Sequence, residues 1–204
     1  MLKDLVQKNR SCRRFYQEEK IPQGILEELV NLARLSPSGG NLQPLKYILS
    51  KDPEKNSQIF PCLNWAGYLK DWGGPAEGEK PSAYIIILWD KKISSEYVGY
   101  DCGIAAQTIL LGAREKDLGG CMIASINRGK LREIIEIPEQ YEILLVLAIG
   151  KPKEKVVIEP VGTEGDIKYW RDQKNIHHVP KRSLDELIIK SYSDLKQVTK
   201  PIKK

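Results

Sequence analysis

The 204-residue chain has only two histidines, His177 and His178, and they are adjacent. Two neighbouring side chains rarely point at one ion, and no cysteine lies near them in sequence, so no metal is expected. The four cysteines, Cys12, Cys62, Cys102 and Cys121, include no C-x-x-C pair, which removes a thioredoxin-type redox motif. There is no G-x-S-x-G, no Cys–His pair and no acid/base constellation. A dinucleotide fingerprint is missing too, because Gly39-Gly40 and Gly119-Gly120 lack the G-x-G-x-x-G spacing. The longest apolar run, Ala83 to Trp89, is far short of the roughly 20 residues of a membrane span. Met-Leu-Lys-Asp at the start is no signal peptide. Free or buried thiols in a reducing cytoplasm are therefore expected, with no membrane partner.

What remains is enough for one domain with a substantial core, since 41% of residues are hydrophobic. The net charge of +5 comes from 32 basic against 27 acidic residues, and part of it lies in the tail at Lys196, Lys200, Lys203 and Lys204. Elsewhere the signs alternate as on an ordinary solvated surface, so nucleic acid is not the expected partner. Small anions remain plausible ligands. No repeat or low-complexity linker marks a second domain.

Two stretches stand out. Arg10-Ser11-Cys12-Arg13-Arg14-Phe15 follows a short amphipathic run carrying Leu2, Leu5 and Val6. Guanidinium forks on either side of a hydroxyl suit a phosphate, although a solvated basic helix end accounts for the same residues. The second stretch is Ser36-Pro37-Ser38-Gly39-Gly40-Asn41-Leu42-Gln43-Pro44. Its paired glycines permit positive φ and close approach of backbone to a ligand. A plain helix-to-strand loop needs only one glycine and no Asn/Gln pair.

Apolar spacing predicts a helix over 23–35, with Ile25, Leu26, Leu29, Val30 and Ala33 on one face. A strand follows at 46–50. Trp65, Tyr68 and Trp72 are spaced to share a helical face, as core or as a lid over a planar substrate. The run 82–89 reads as a central strand covered on both sides. A helix over 97–116 is apolar almost all round and should be buried in a core or between subunits. Asp101 and Gln107 within it read first as structural hydrogen-bonding residues. Asn127 should cap a short helix, and 142–149 is a further strand. Residues 166–178 read as an aromatic-bearing loop, and Ser183 with Glu186 as a capping box.

In order and spacing, these segments resemble the nitroreductase family of FMN-dependent oxidoreductases. Arg10, Ser11, Arg13 and Phe15 match its R-S-x-R-x-F/Y opening, and Pro37, Ser38, Asn41, Gln43 and Pro44 its P-S-x-x-N-x-Q-P. Asp101, Gly103, Ala105 and Gln107 resemble D-x-G-x-A-x-Q in the family's long central helix. Leu118 to Ala124 is similar to G-L-G-x-C-W-I-G, with Met122 in place of Trp and Ala124 in place of Gly. Gly150-Lys151-Pro152 resembles G-x-P, and Lys181 to Glu186 resembles the closing R-x-x-L-x-E.

The resemblance implies an α+β, three-layer fold, with a central, mostly antiparallel sheet flanked by helices, in an intertwined homodimer. Residues 1–204 would be a single FMN-binding domain, with 51–80 a variable lid or pocket segment and 153–204 a C-terminal extension wrapping the partner subunit. It also implies FMN at the dimer interface. Arg10, Ser11, Arg13 and Lys181 (or its neighbour Arg182) would hold the phosphate, and Pro37, Ser38, Asn41 and Gln43 the ribityl chain and ring edge. The backbone amides of Ala124 and Ser125 would face N5 and O4 of the flavin. The implied reaction is ping-pong hydride transfer at N5, from NAD(P)H to nitroaromatics, quinones or similar planar acceptors. Reductive dehalogenation or enone reduction is an alternative within the superfamily. A non-enzymatic anion- or nucleic-acid-binding domain using Arg10–Arg14 and the lysine tail is an alternative of another class.

Overall fold

Eight residues, Ala83–Asp90, form the strand β3 at the centre of the molecule's main sheet. Every residue but one is buried, which only a strand covered on both faces allows. Its side chains alternate between two cores: Ala83, Ile85 and Ile87 enter one, and Tyr84, Ile86 and Leu88 the other. The computed structural model of the protein describes residues 1–192. The lysines of the tail, Lys196 to Lys204, lie outside the described residues.

The chain folds as two compact units, Met1–Lys155 and one that begins at Val156. In the first unit, β2 (Leu45–Ser50) pairs with β3, and β3 pairs with β5 (Tyr141–Pro152). Strands β4 (Gly119–Ile123) and β1 (Phe15–Tyr16) also pair with β5. All four ladders are antiparallel. The helices α2 (Gln23–Arg34) and α4 (Val98–Glu115) cover one face, and their Leu26, Leu29, Ala105, Ala106 and Ile109 fill that core. The other face packs on α3 (Pro53–Ile59), α5 (Arg128–Ile134) and the 60–65 segment, through Ile59, Cys62, Trp65 and Leu131. The architecture is the three-layer α+β arrangement expected from the sequence. A short α1 (Leu2–Lys8) precedes the sheet.

Two expectations need correcting. The segment holding Trp65, Tyr68 and Trp72 is not a helix but a run of turns, with Ala66 at φ 41°. Trp65 is core and Trp72 packs against it, whereas Tyr68 is exposed. Gly74, at φ 119°, passes so close to Trp65 that a Cβ would lie 2.7 Å from its ring; the indole and the left-handed turn exclude a continuing helix. Within one chain α4 buries Ala105, Ala106 and Ile109 and leaves Tyr100 and Ile104 72% and 40% exposed. The expected 166–178 loop contains strand segments at 170–171 and from 177 onwards.

In the second unit β6 (Val156–Pro160) pairs in parallel with β8 (His177–Lys181), and β7 (Trp170–Arg171) pairs antiparallel with β8. His177 is fully buried, 5.1 Å from the ring of Tyr169. His178 stacks on Trp170 at 4.1 Å, with its Nδ1 on Glu159 and its Nε2 3.5 Å from Asp172. Those two carboxylates hold the imidazole above its usual protonation range. A one-turn α6 (Leu184–Leu187) follows, where the Ser183 hydroxyl accepts from the Glu186 amide at 3.2 Å. Only half of the capping box forms, since the Glu186 carboxylate pairs with Arg182.

Candidate cofactor site

The opening motif is laid against β4. Arg10 caps the end of α1, its Nε donating to the Asn9 carbonyl at 2.6 Å and its Nη2 to the Val6 carbonyl at 2.9 Å. Next, Ser11 forms a parallel bridge with Gly120, and the Cys12 amide donates to the Gly120 carbonyl at 2.9 Å. This approach requires glycine: a Cβ on Gly120 would lie 2.7 Å from the Ala148 carbonyl and 2.6 Å from Leu110 of α4. Ser11 is left exposed and Arg10 half-buried.

Arg13 turns inward and is 9% exposed. Its amide donates to Glu154 Oε2 at 2.8 Å, and its guanidinium hydrogen-bonds the Cys121 thiol. Burial, seconded by the Glu154 charge, pushes the Cys12 thiol up to about 12. Burial likewise raises Cys121. Neither sulfur is a thiolate at neutral pH, so neither serves as a nucleophile. All four cysteines are buried and free. Arg14 leaves this cluster and pairs with Glu79 through Nε and Nη2, each at 2.6 Å.

The second motif forms the loop between α2 and β2, and Asp101 of α4 organises it. Asp101 is 3% exposed; its two oxygens accept from the Ser38 hydroxyl at 2.7 Å and the Gly39 amide at 2.9 Å. The Ser38 oxygen in turn accepts from the Gln43 amide at 3.0 Å. Gly40, Asn41 and Gln43 all have positive φ, at 56°, 54° and 51°. For residues other than glycine that conformation is sparsely populated, and Asp101 holds the loop there. Pro37, Asn41 and Gln43 are exposed. Gln107 accepts from Asn9 at 3.5 Å, so Asp101 and Gln107 both act as the hydrogen-bonding residues expected.

Ala124 and Ser125 follow β4 directly and are exposed. Their carbonyls are engaged: Ala124 accepts from Arg128 at 3.3 Å and Ser125 from the Asn64 amide at 3.0 Å. The Ser125 hydroxyl accepts from the Asn64 side chain at 3.1 Å. The two N–H groups take no part in these bonds. From Gly120, beside Ser11, to Ala124 is four residues of strand, or about 13 Å.

Lys181 and Arg182 stand in the second unit. Lys181 ends β8 with an exposed side chain, and its carbonyl accepts from the Val161 amide at 3.0 Å. Arg182 is also exposed and is engaged with Glu186. The first unit thus brings Arg10, Ser11 and Arg13 together with the strand that leads to Ala124 and Ser125, and gathers Pro37, Ser38, Asn41 and Gln43 in one loop.

The nitroreductase family model matches residues 6–70 and 76–151. This chain belongs to the nitroreductase family. A relative in Archaeoglobus fulgidus, named "Putative NADH dehydrogenase/NAD(P)H nitroreductase", is 28% identical over 72% of this chain and 83% of its own length. An iodotyrosine deiodinase of Thermotoga neapolitana is 26% identical over 76% of this chain and 90% of its own. Among solved structures, an FMN-dependent nitroreductase from Clostridium difficile R20291 is 25% identical, with a TM-score of 0.61 over 74% of this chain and 87% of that one. A nitroreductase family protein from Clostridium difficile 630, 21% identical, shares the fold at a TM-score of 0.63 over 94% of this chain and 98% of that one.

Two residues of this candidate site escaped sequence reasoning. Glu154 lies 141 residues from the Arg13 amide that it accepts; its only signal is its place two residues beyond the Gly150-Lys151-Pro152 match. Asn64 sits in the variable segment, where nothing in its neighbours marks it as the partner of Ser125.

Proposed function

We infer that the protein is an FMN-dependent oxidoreductase that passes reducing equivalents from NAD(P)H to nitroaromatics, quinones or similar planar acceptors in a ping-pong cycle. The observation that carries this reading is the arrangement of donors along β4. Arg10, Ser11 and Arg13 lie at its start, and the exposed residues Ala124 and Ser125, whose backbone N–H groups are donors, lie just past its end. A single small anion needs only one of these ends. A ligand with a phosphate at one terminus and an electron-rich ring edge at the other uses both, and FMN is such a molecule.

In this reading Arg10 and Arg13 neutralise the phosphate, and Ser11 donates a hydrogen bond to it. The loop bearing Pro37, Ser38, Asn41 and Gln43 meets the ribityl chain. The Ser38 hydroxyl proton is committed to Asp101, so Asn41 and Gln43 carry the polar contacts and Ser38 shapes the loop. When bound, FMN supplies the hydride chemistry at N5. The amides of Ala124 and Ser125 stabilise negative charge there, as an oxyanion hole does. No side-chain acid is assigned, and the proton comes from solvent. The protein works as a homodimer: α4 carries exposed Tyr100 and Ile104, an apolar face suited to a second copy. Four free thiols fit a cytoplasmic setting. Among the described residues, no helix is long and apolar enough to cross a membrane.

The deiodinase relative favours reductive dehalogenation of a halogenated phenol as the second reading. Turnover against nitro compounds, quinones and iodophenols separates the two. The first test is the visible spectrum of the purified protein: flavin bands are expected, and a colourless protein that FMN cannot reconstitute refutes the reading. Arg13→Ala should weaken FMN binding by about 1.5–3 kcal/mol, the worth of a hydrogen bond to a charged group, in equilibrium dialysis. Equal retention by wild type and variant would refute the phosphate assignment.

A further inference from the structure

The geometry points to Glu154 as the positioning residue that aims Arg13 at the cofactor phosphate. The inference rests on the FMN reading above and assigns Glu154 a role in it. Arg13 belongs to a segment with no regular structure of its own, between α1 and β1. Two contacts fix its backbone: the Cys12 amide to the Gly120 carbonyl on one side, and its own amide to Glu154 Oε2 at 2.8 Å. The first ties the segment to β4 and sets its position. The second sets the rotation of the Arg13 peptide, and so the direction in which the side chain leaves. Glu154 is itself 9% exposed, and a buried carboxylate is held in one place by the groups it accepts. Its neighbour Lys153 donates its amide to the Arg14 carbonyl at 2.9 Å, so residues 153–154 grip the segment at two consecutive residues.

The carboxylate has two opposed effects on an anion bound by Arg13. As an acceptor it pre-organises the arginine, which favours binding. As a charge it competes for the guanidinium, which disfavours binding. Glutamine retains the first and removes the second, because its Oε1 still accepts from the amide. Alanine removes both. Aspartate retains the charge but, one methylene shorter, does not reach.

The test measures Kd for FMN and for riboflavin, which lacks the phosphate, by fluorescence quenching, with circular dichroism to confirm folding. Glu154→Ala and Glu154→Asp should each weaken FMN about tenfold, the scale of one lost hydrogen bond to a charged group. Riboflavin binding should not change. Glu154→Gln should bind FMN as tightly as wild type or more so. The double variant Glu154→Ala/Arg13→Ala should be no weaker than Arg13→Ala alone. FMN binding by a folded Glu154→Ala at the wild-type level would overturn the proposal, as would additive losses in the double variant or an equal loss for riboflavin. If Glu154→Ala does not fold, the contrast between Glu154→Asp and Glu154→Gln decides the matter: equal affinities refute it. Should Arg13→Ala itself keep wild-type FMN affinity, the phosphate reading fails, an outcome distinct from failure of Glu154 alone.

Discussion

Replacing Glu79 by Gln tests the electrostatic clamp that fastens the first strand. The Glu79 carboxylate meets Arg14 at 2.6 Å and Lys153 at 3.1 Å, and its backbone carbonyl accepts from Phe15 of β1. Its side chain is 16% exposed and that of Arg14 20%, so solvent screens the pair only weakly. The hydrogen bond from Arg14, helped by Lys153, holds the Glu79 carboxyl at about 2, against the ordinary 4.5. A group whose folded value is depressed stabilises above its unfolded value, and that stability is lost as pH falls towards the folded value. At about 1.4 kcal/mol per pH unit, the clamp contributes about 3 kcal/mol at pH 7. By the same relation it contributes about 1.5 kcal/mol near pH 3, and almost nothing below pH 2. Urea unfolding of wild type and Glu79→Gln at pH 7, 5 and 3 should therefore show a stability gap that holds from pH 7 to 5 and roughly halves at pH 3. A gap of equal size at all three values, or none at pH 7, would refute this account.

Two further predictions concern other parts of the molecule. Asp101→Asn replaces one acceptor by a donor facing the Ser38–Gly39 pair. It should cost about 1.5–3 kcal/mol, read as a Tm lowered by about 5 °C together with weaker FMN retention; an unchanged Tm would show that Asp101 does not organise the loop. His178, raised by the hydrogen bonds it donates to Glu159 and then Asp172, stabilises the small sheet fully below pH 6.5 and loses that contribution as pH rises through its folded value. Because Trp170 stacks on this imidazole, tryptophan emission should change with a midpoint above 6.5. His178→Gln should abolish the transition, and a midpoint at or below 6.5 would contradict the ion-paired arrangement.

Sequence patterns foretold an element wherever one periodicity dominated. The run through Ile85, Ile86 and Ile87 has no reading but a doubly covered strand, and Leu26, Leu29 and Ala33 mark the face of α2. Asn127 caps α5 as its position suggests, accepting from the Lys130 amide at 3.1 Å. Trp65, Tyr68 and Trp72 misled because helical spacing is a necessary condition, not a sufficient one, and a left-handed Ala66 leaves no sequence signature. The apolar circumference of α4 left core and subunit interface both open, because hydrophobicity does not say which surface covers a residue. In the site, Arg10, Ser11 and Ser38 were legible from local motifs. Glu154 and Asn64 were not, because their partners are 141 and 61 residues away, and no local rule links such positions.

β5 is the most heavily used strand of the sheet, since β1, β3 and β4 all pair with it. It is also the last of them to leave the ribosome. During synthesis the amino-terminal arginines are made first, yet the strand and the carboxylate that organise them are made long afterwards. An FMN held as proposed could therefore not guide the early stages of folding. On the FMN reading the cofactor would bind only after the chain has closed on itself, and a nascent chain stalled before residue 141 leaves the edge of β3 that pairs with β5 open to any chaperone or aggregate within reach.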